Sequence, residues 1–175
     1  MKKSDINLMP QFFDRFINLV PDVELSKAFE DSIWQLNELD RTLLARLDGK
    51  RYAANKWTVK GIFQHVIDFE RILSYRSLLF ARKEGSTPQS VDESVLAANM
   101  NADERTIDDL IEELKIVRAS TKSLFDSFDS DALLNRGTNW KYEISVLAMG
   151  FNIIGHQVHH LNIIEERYVP LLSPK

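Results

Sequence analysis

The sequence predicts an all-α four-helix bundle, with a short N-terminal segment packed on it and a long connection between helices two and three. Three observations carry this. Apolar residues recur at helical spacing over four stretches, 24–47, 58–83, 103–128 and 145–168. Residues suited to caps or stops stand at their ends, Gly49, Thr58, Gly85 and Ser145 among them. No alternating strand pattern and no internal repeat is present. With 175 residues, 44% of them hydrophobic, residues 1–175 read as a single domain with a substantial core.

In chain order, residues 1–22 hold Phe12, Phe13, Phe16, Ile17, Leu19 and Val20 between Pro10 and Pro21. This segment is expected to cross the domain as a short helix or clasp. The first long helix carries Leu25, Phe29, Leu36, Leu39, Leu43 and Leu47. The second opens on Thr58 and places Ile62, His65, Phe69, Ile72, Arg76 and Leu79 on one stripe. The break at 85–102 is too long for a structureless loop in a compact domain, so a helical turn is expected near Glu93–Asn99. The third helix bears Ile107, Leu110, Ile111, Leu114, Val117, Thr121, Leu124, Phe125 and Phe128, with acidic residues at its positive end. A further turn is expected at 129–134 and a loop at 136–139. The fourth helix is apolar on nearly every side, so it is either central under the N-terminal segment or part of a dimer interface.

Composition removes several function classes. A net charge of -4 argues against nucleic-acid binding. No cysteine is present, so any transition-metal site draws on His, Asp, Glu and water. No stretch approaches a membrane span and no signal-peptide core is seen, which makes a cytoplasmic location the expectation. There is no phosphate-cradling glycine loop, no Ser/His/Asp signature, and no Glu-x-x-His of the di-iron bundles.

Three of the four histidines, His156, His159 and His160, fall in the stretch GHQVHHL. On a helix His156 and His160 share a face, a spacing at which two imidazoles chelate one metal ion. His65 lies on the core-facing stripe of the second helix and meets them if helices two and four are neighbours. Two readings fit: three hydrogen-bonded core histidines, or one divalent metal with an open fourth position. His159 lies about 60° off the His156 direction at 100° per residue, a candidate to support a ligand from behind, to contact substrate, or simply to sit at an interface. Asn152, one turn before His156, is a candidate substrate contact. Asp68 is a candidate to orient the His65 imidazole, and Arg76 and Arg167 to receive an anionic substrate.

KWTVKGIFQHVIDFERILSYRSLLFAR and NIIGHQVHHLNIIEERY resemble the two signatures of DinB-like proteins, and FFDRFINLV and RGTNW resemble one DinB subgroup. The resemblance spans nearly the whole chain. It implies a four-helix bundle binding one divalent metal, usually zinc or nickel, through His65, His156 and His160, often as a homodimer. It also implies a metal-dependent enzyme with a small-molecule substrate, as a thiol-dependent S-transferase using a low-molecular-weight thiol, or as a hydrolase. The alternative is a non-catalytic dimeric binding or stress-response module with a vestigial or regulatory metal site.

Overall fold

Thr58 and Ser145 open the two helices that carry the histidines. The Thr58 hydroxyl accepts from the Gly61 amide at 3.1 Å and that of Ser145 from Ala148 at 3.1 Å, as expected of these caps. In the computed structural model, which describes residues 1–173, the elements are α1 (Asp14–Ile17), α2 (Leu25–Asn37), α3 (Arg41–Arg46), α4 (Val59–Ala81), α5 (Glu93–Asn99), α6 (Ile107–Asp126), α7 (Ser130–Leu134), β1 (Arg136–Asn139), β2 (Tyr142–Ser145) and α8 (Val146–Ile163). Helix α4 packs on α6 and α8, and so does α2, which closes a four-helix bundle with α2 diagonal to α4.

Three expectations are corrected. The first long helix is broken into α2 and α3, because the Asp40 carboxylate accepts from the Leu43 amide at 2.9 Å and starts a new helix. The loop at 136–139 is the first strand of an antiparallel hairpin, paired from Arg136 with Ser145 to Asn139 with Tyr142. Gly137 lets this hairpin lie on α4: a Cβ there would stand 2.1 Å from the Phe80 ring. The fourth helix leaves α geometry after Ile163, continuing as a π turn (Ile164–Tyr168) and a 3₁₀ turn (Val169–Leu172).

Of the two explanations for the all-round apolar fourth helix, central placement holds. Every residue from Val146 to Gln157 is buried, and α1 lies across α8. Gly155 permits that crossing, since a Cβ there would stand 2.0 Å from the Phe16 carbonyl oxygen.

The core divides into two apolar clusters. One gathers Phe29, Leu73, Phe125 and Ile154; the other Leu36, Ile67, Val117 and Ile164. On each of the four long helices a buried polar residue stands between the two clusters: Ser32, Glu70, Arg118 and Gln157. Arg118, fully buried, forks onto Glu70 with two bonds of 2.8 Å and donates to the Ser32 hydroxyl at 2.6 Å. Gln157 donates to the Ser32 carbonyl at 3.1 Å and to Gln35 at 3.0 Å.

Removing one member strands the other charge in a dry core. Arg118→Met is expected to cost about 3–5 kcal/mol in denaturant unfolding, and Arg118→Met/Glu70→Leu to recover most of it. A double variant no more stable than the single would show that the pair is not the source of the loss.

Candidate metal centre

Helices α4 and α8 run antiparallel, which sets the start of α4 beside the end of α8. His65 thereby meets His156 and His160. The His156 Nε2 lies 3.1 Å from the Nε2 of His65 and 3.1 Å from that of His160. One ligand atom from each of the three histidines falls within 4.8 Å of the other two. Tetrahedral coordination at the usual zinc–nitrogen distance spaces ligand nitrogens about 3.3 Å apart, so the set is already near metal-binding geometry.

Aromatic packing positions the His65 and His156 rings. His65 lies between Trp57 and Phe69, with centroids 4.6 and 4.5 Å away. The edge of Phe16 meets His156 at 5.4 Å and His159 at 5.1 Å. Tyr168, re-aimed by the π turn, donates to the Trp57 carbonyl at 2.6 Å and ties the end of α8 to the residue covering His65.

The donor set suits a cation. A neutral imidazole offers one N–H and one lone pair. The His156 Nε2 carries either a proton, which serves only one of its two neighbours, or a lone pair, which accepts from only one donor. An ion that takes all three inward lone pairs satisfies the three converging nitrogens at once. The histidines line a cavity of about 390 Å³, so one side of the set faces open space rather than protein.

The remaining candidates separate. Asn152 lines the cavity with its buried Oδ1 free of any protein partner, and Arg76 lines it at the far end of α4. His159 is half-buried at the cavity wall and outside the converging set. Asp68 does not orient His65: three residues on, it turns toward α6 and accepts from Gln64 at 2.9 Å. Arg167 is exposed on the π turn, where phase extrapolated at 3.6 residues per turn no longer holds.

Sequence reasoning missed several lining residues. Phe12, Arg15 and Phe16 come from the N-terminal segment, Glu93 from α5, and Asn139 and Trp140 from the hairpin. Phe12 and Trp140 face each other at 5.2 Å and both adopt left-handed backbone, φ 70° and 58°. Bulky residues rarely tolerate that region, and here it turns two aromatic rings onto the cavity. The phenylalanine-rich N-terminus was a visible signal; the four-residue strands gave none.

The sequence profile of the DinB superfamily matches residues 24–164. The chain belongs to the DinB superfamily. No curated protein sequence matches it. Among solved structures, it is similar to YfiT from Bacillus subtilis, with a TM-score of 0.66 over 91% of this chain and 87% of that one at 15% identity. YfiT is described as a probable metal-dependent hydrolase with an unusual four-helix bundle topology. The superfamily fold expected from the signature motifs is therefore present.

Burial keeps the histidines of this DinB-superfamily site uncharged. It holds His65 down to about 4, with His159 pushing the same way, and His160 down to about 3, with His65 and His159 adding to it. His156 is pushed well below its ordinary range, by burial first and then by His160 and His65. Glu93 approaches the His65 Nδ1 at 3.9 Å, beyond hydrogen-bond reach.

The unfolded chain holds such histidines near 6.5 and takes up protons that the folded site refuses. Stability from the site is complete above about pH 6.5 and is lost as pH falls toward 4 for His65 and 3 for His160. In metal-free protein, unfolding free energy should drop on acidification from pH 6.5 to 5 by up to about 1.4 kcal/mol per pH unit for each histidine. His160→Phe should flatten that slope. A pH-independent stability across this range would contradict the assignment of neutral rings.

Proposed function

We propose that this chain is a metal-dependent enzyme acting on a small molecule at His65, His156 and His160, by hydrolysis or by transfer of an external thiol. The observation that carries it is the convergence of three neutral imidazoles on the wall of an open cavity. A divalent ion bound there, zinc or nickel in our reading, supplies Lewis acidity and lowers the pKa of water or thiol at its open position.

The chain's own residues supply the rest. Trp57, Phe69 and Phe16 hold the imidazoles in place, so little reorganisation accompanies binding. Phe12, Phe13, Phe16, Phe69 and Trp140 line the cavity with aromatic surface, which suits an apolar or aromatic substrate body. The unpartnered Asn152 Oδ1, one turn from His156, is placed to accept from a substrate N–H or O–H.

The structural likeness to a protein described as a probable metal-dependent hydrolase supports the hydrolytic form. A chain without cysteine would take its thiol from solution in the transferase form. No described helix is long and apolar enough to cross a membrane. A homodimer working in the cytoplasm is part of the same proposal.

Freshly purified protein should carry about one divalent metal per chain by elemental analysis, and His65→Ala and His160→Ala should lose it. A chelator should lower the melting temperature of the wild type alone; metal at 100 times its Kd contributes about 2.7 kcal/mol. The reloaded protein should then turn over one of two panels, esters and amides or a thiol with an electrophile. Metal-free protein with unchanged melting in chelator would sink the enzyme reading and favour a non-catalytic binding module.

A further inference from the structure

The protein buries two arginines on its long helices, and they are treated differently. Arg118 is paired with Glu70. Arg76 is 7% exposed, and its partners are neutral: the Asn139 Oδ1, and the Gln89 carbonyl at 2.8 Å. Among the described residues no carboxylate pairs with it, and burial alone pulls its pKa down, with no acidic neighbour offsetting the pull. A guanidinium has five N–H groups in a planar fork; two of them are used here. Such a charge is costly to bury unless something completes it.

Its position shows what would complete it. His65, Phe69, Leu73 and Arg76 follow one another along α4 and all line the same cavity. Three helical turns, about 16 Å along the axis, separate the histidine from the arginine. Between them the α4 face is apolar, Phe69 and Leu73. Asn152, buried and with its Oδ1 unpartnered, also lines the slot from α8. The charges are ordered too. Glu93 is the carboxylate on the cavity wall, and it stands at the histidine end, 3.9 Å from His65. A second cation, Arg15, lies exposed over the Phe12 and Phe16 rings, 3.9 and 4.6 Å from their centroids. Within a chain of net charge -4, this cavity therefore presents two guanidiniums to an incoming ligand.

We propose that Arg76 is the anion-binding end of this cavity, and that its ligand is an organic acid. The carboxylate pairs with the Arg76 fork, and the apolar body runs past Leu73 and Phe69 toward the three histidines. Asn139 holds the guanidinium from the hairpin side, so β1 and β2 serve to aim this group. A single buried positive charge matches a monoanion; a phosphate dianion would leave a net charge in the slot. That the histidine end is where reaction occurs rests on the function proposed above, whereas the anion site needs no metal.

The test uses chelator-treated wild-type protein, so that no carboxylate is read at a metal. ω-Phenylalkanoic acids with two to six methylenes are titrated by calorimetry beside their primary amides and the corresponding phosphonates. The best acid should bind about tenfold or more tighter than its amide, as expected of a charge-assisted bidentate pair. Arg76→Gln should reduce that preference to within about twofold, and Arg76→Lys should keep part of it. The proposal is overturned if no acid outbinds its amide on the wild type, a comparison that needs no variant. It is equally overturned if Arg76→Gln keeps the preference. Phosphonates binding tighter than carboxylates would overturn the carboxylate assignment and give the site to a phosphate-bearing ligand. Metal content of untreated protein is measured separately, so failure here and failure of the metal-centre reading are told apart.

Discussion

The fork of Arg118 on Glu70 is the interaction around which the bundle is registered. A fully buried guanidinium has few acceptable positions, and each of its partners comes from a different helix. Sliding one helix against the others would part the guanidinium from its partners and leave the charge unpaired in the core. Ser32 on α2, Glu70 on α4 and Arg118 on α6 must therefore stand at one level, and Gln157 brings α8 to the same level through the Ser32 carbonyl. Buried ion pairs contribute little net stability, but they discriminate strongly between alternative registers. Here register is what the site requires, because His156 is the neighbour of Gln157, and His65 lies little more than one turn from Glu70.

Above that layer, α8 is covered by α1, α2, α4 and α7. It is buried from Val146 to Gln157, and its own sequence makes this tolerable: Gly150 and Gly155 sit where Cβ atoms would collide with neighbours, and the polar side chains along it face the site or the ion-pair layer. The N-terminal segment closes the remaining side. By laying Phe16 across Gly155 it brings an aromatic edge onto His156 and His159, and brings Phe12 and Arg15 to the mouth of the cavity. Segments at opposite ends of the chain thus build one wall.

Much of this was legible in the residues. The caps at Thr58 and Ser145, the turn at Glu93–Asn99 and the face shared by His156 and His160 follow from local chemistry, since a cap needs only its own next three residues and a helical face only a fixed angular step. The reading failed where local preference was overruled or the geometry changed. Asp40 breaks a helix whose apolar period runs through it. Asp68 lies near His65 in sequence but faces α6. Arg167 lies within the π turn, so the phase that placed it no longer applied. The hairpin was invisible because four-residue strands leave too short a pattern, although it delivers Asn139 to Arg76 and Trp140 to the cavity.

By itself the sequence determined the helical class, the superfamily signatures and the three imidazoles able to share one ion. These rest on periodicity and on residue type, both carried by neighbours along the chain. Only the tertiary structure decided that the fourth helix is buried by the N-terminus, that the His156 Nε2 stands 3.1 Å from those of His65 and His160, and that Arg76 enters the same cavity without a counter-charge. The reason is physical. A charge is paired or unpaired, and a nitrogen convergent or isolated, through groups dozens of residues away, and only packing sets those distances.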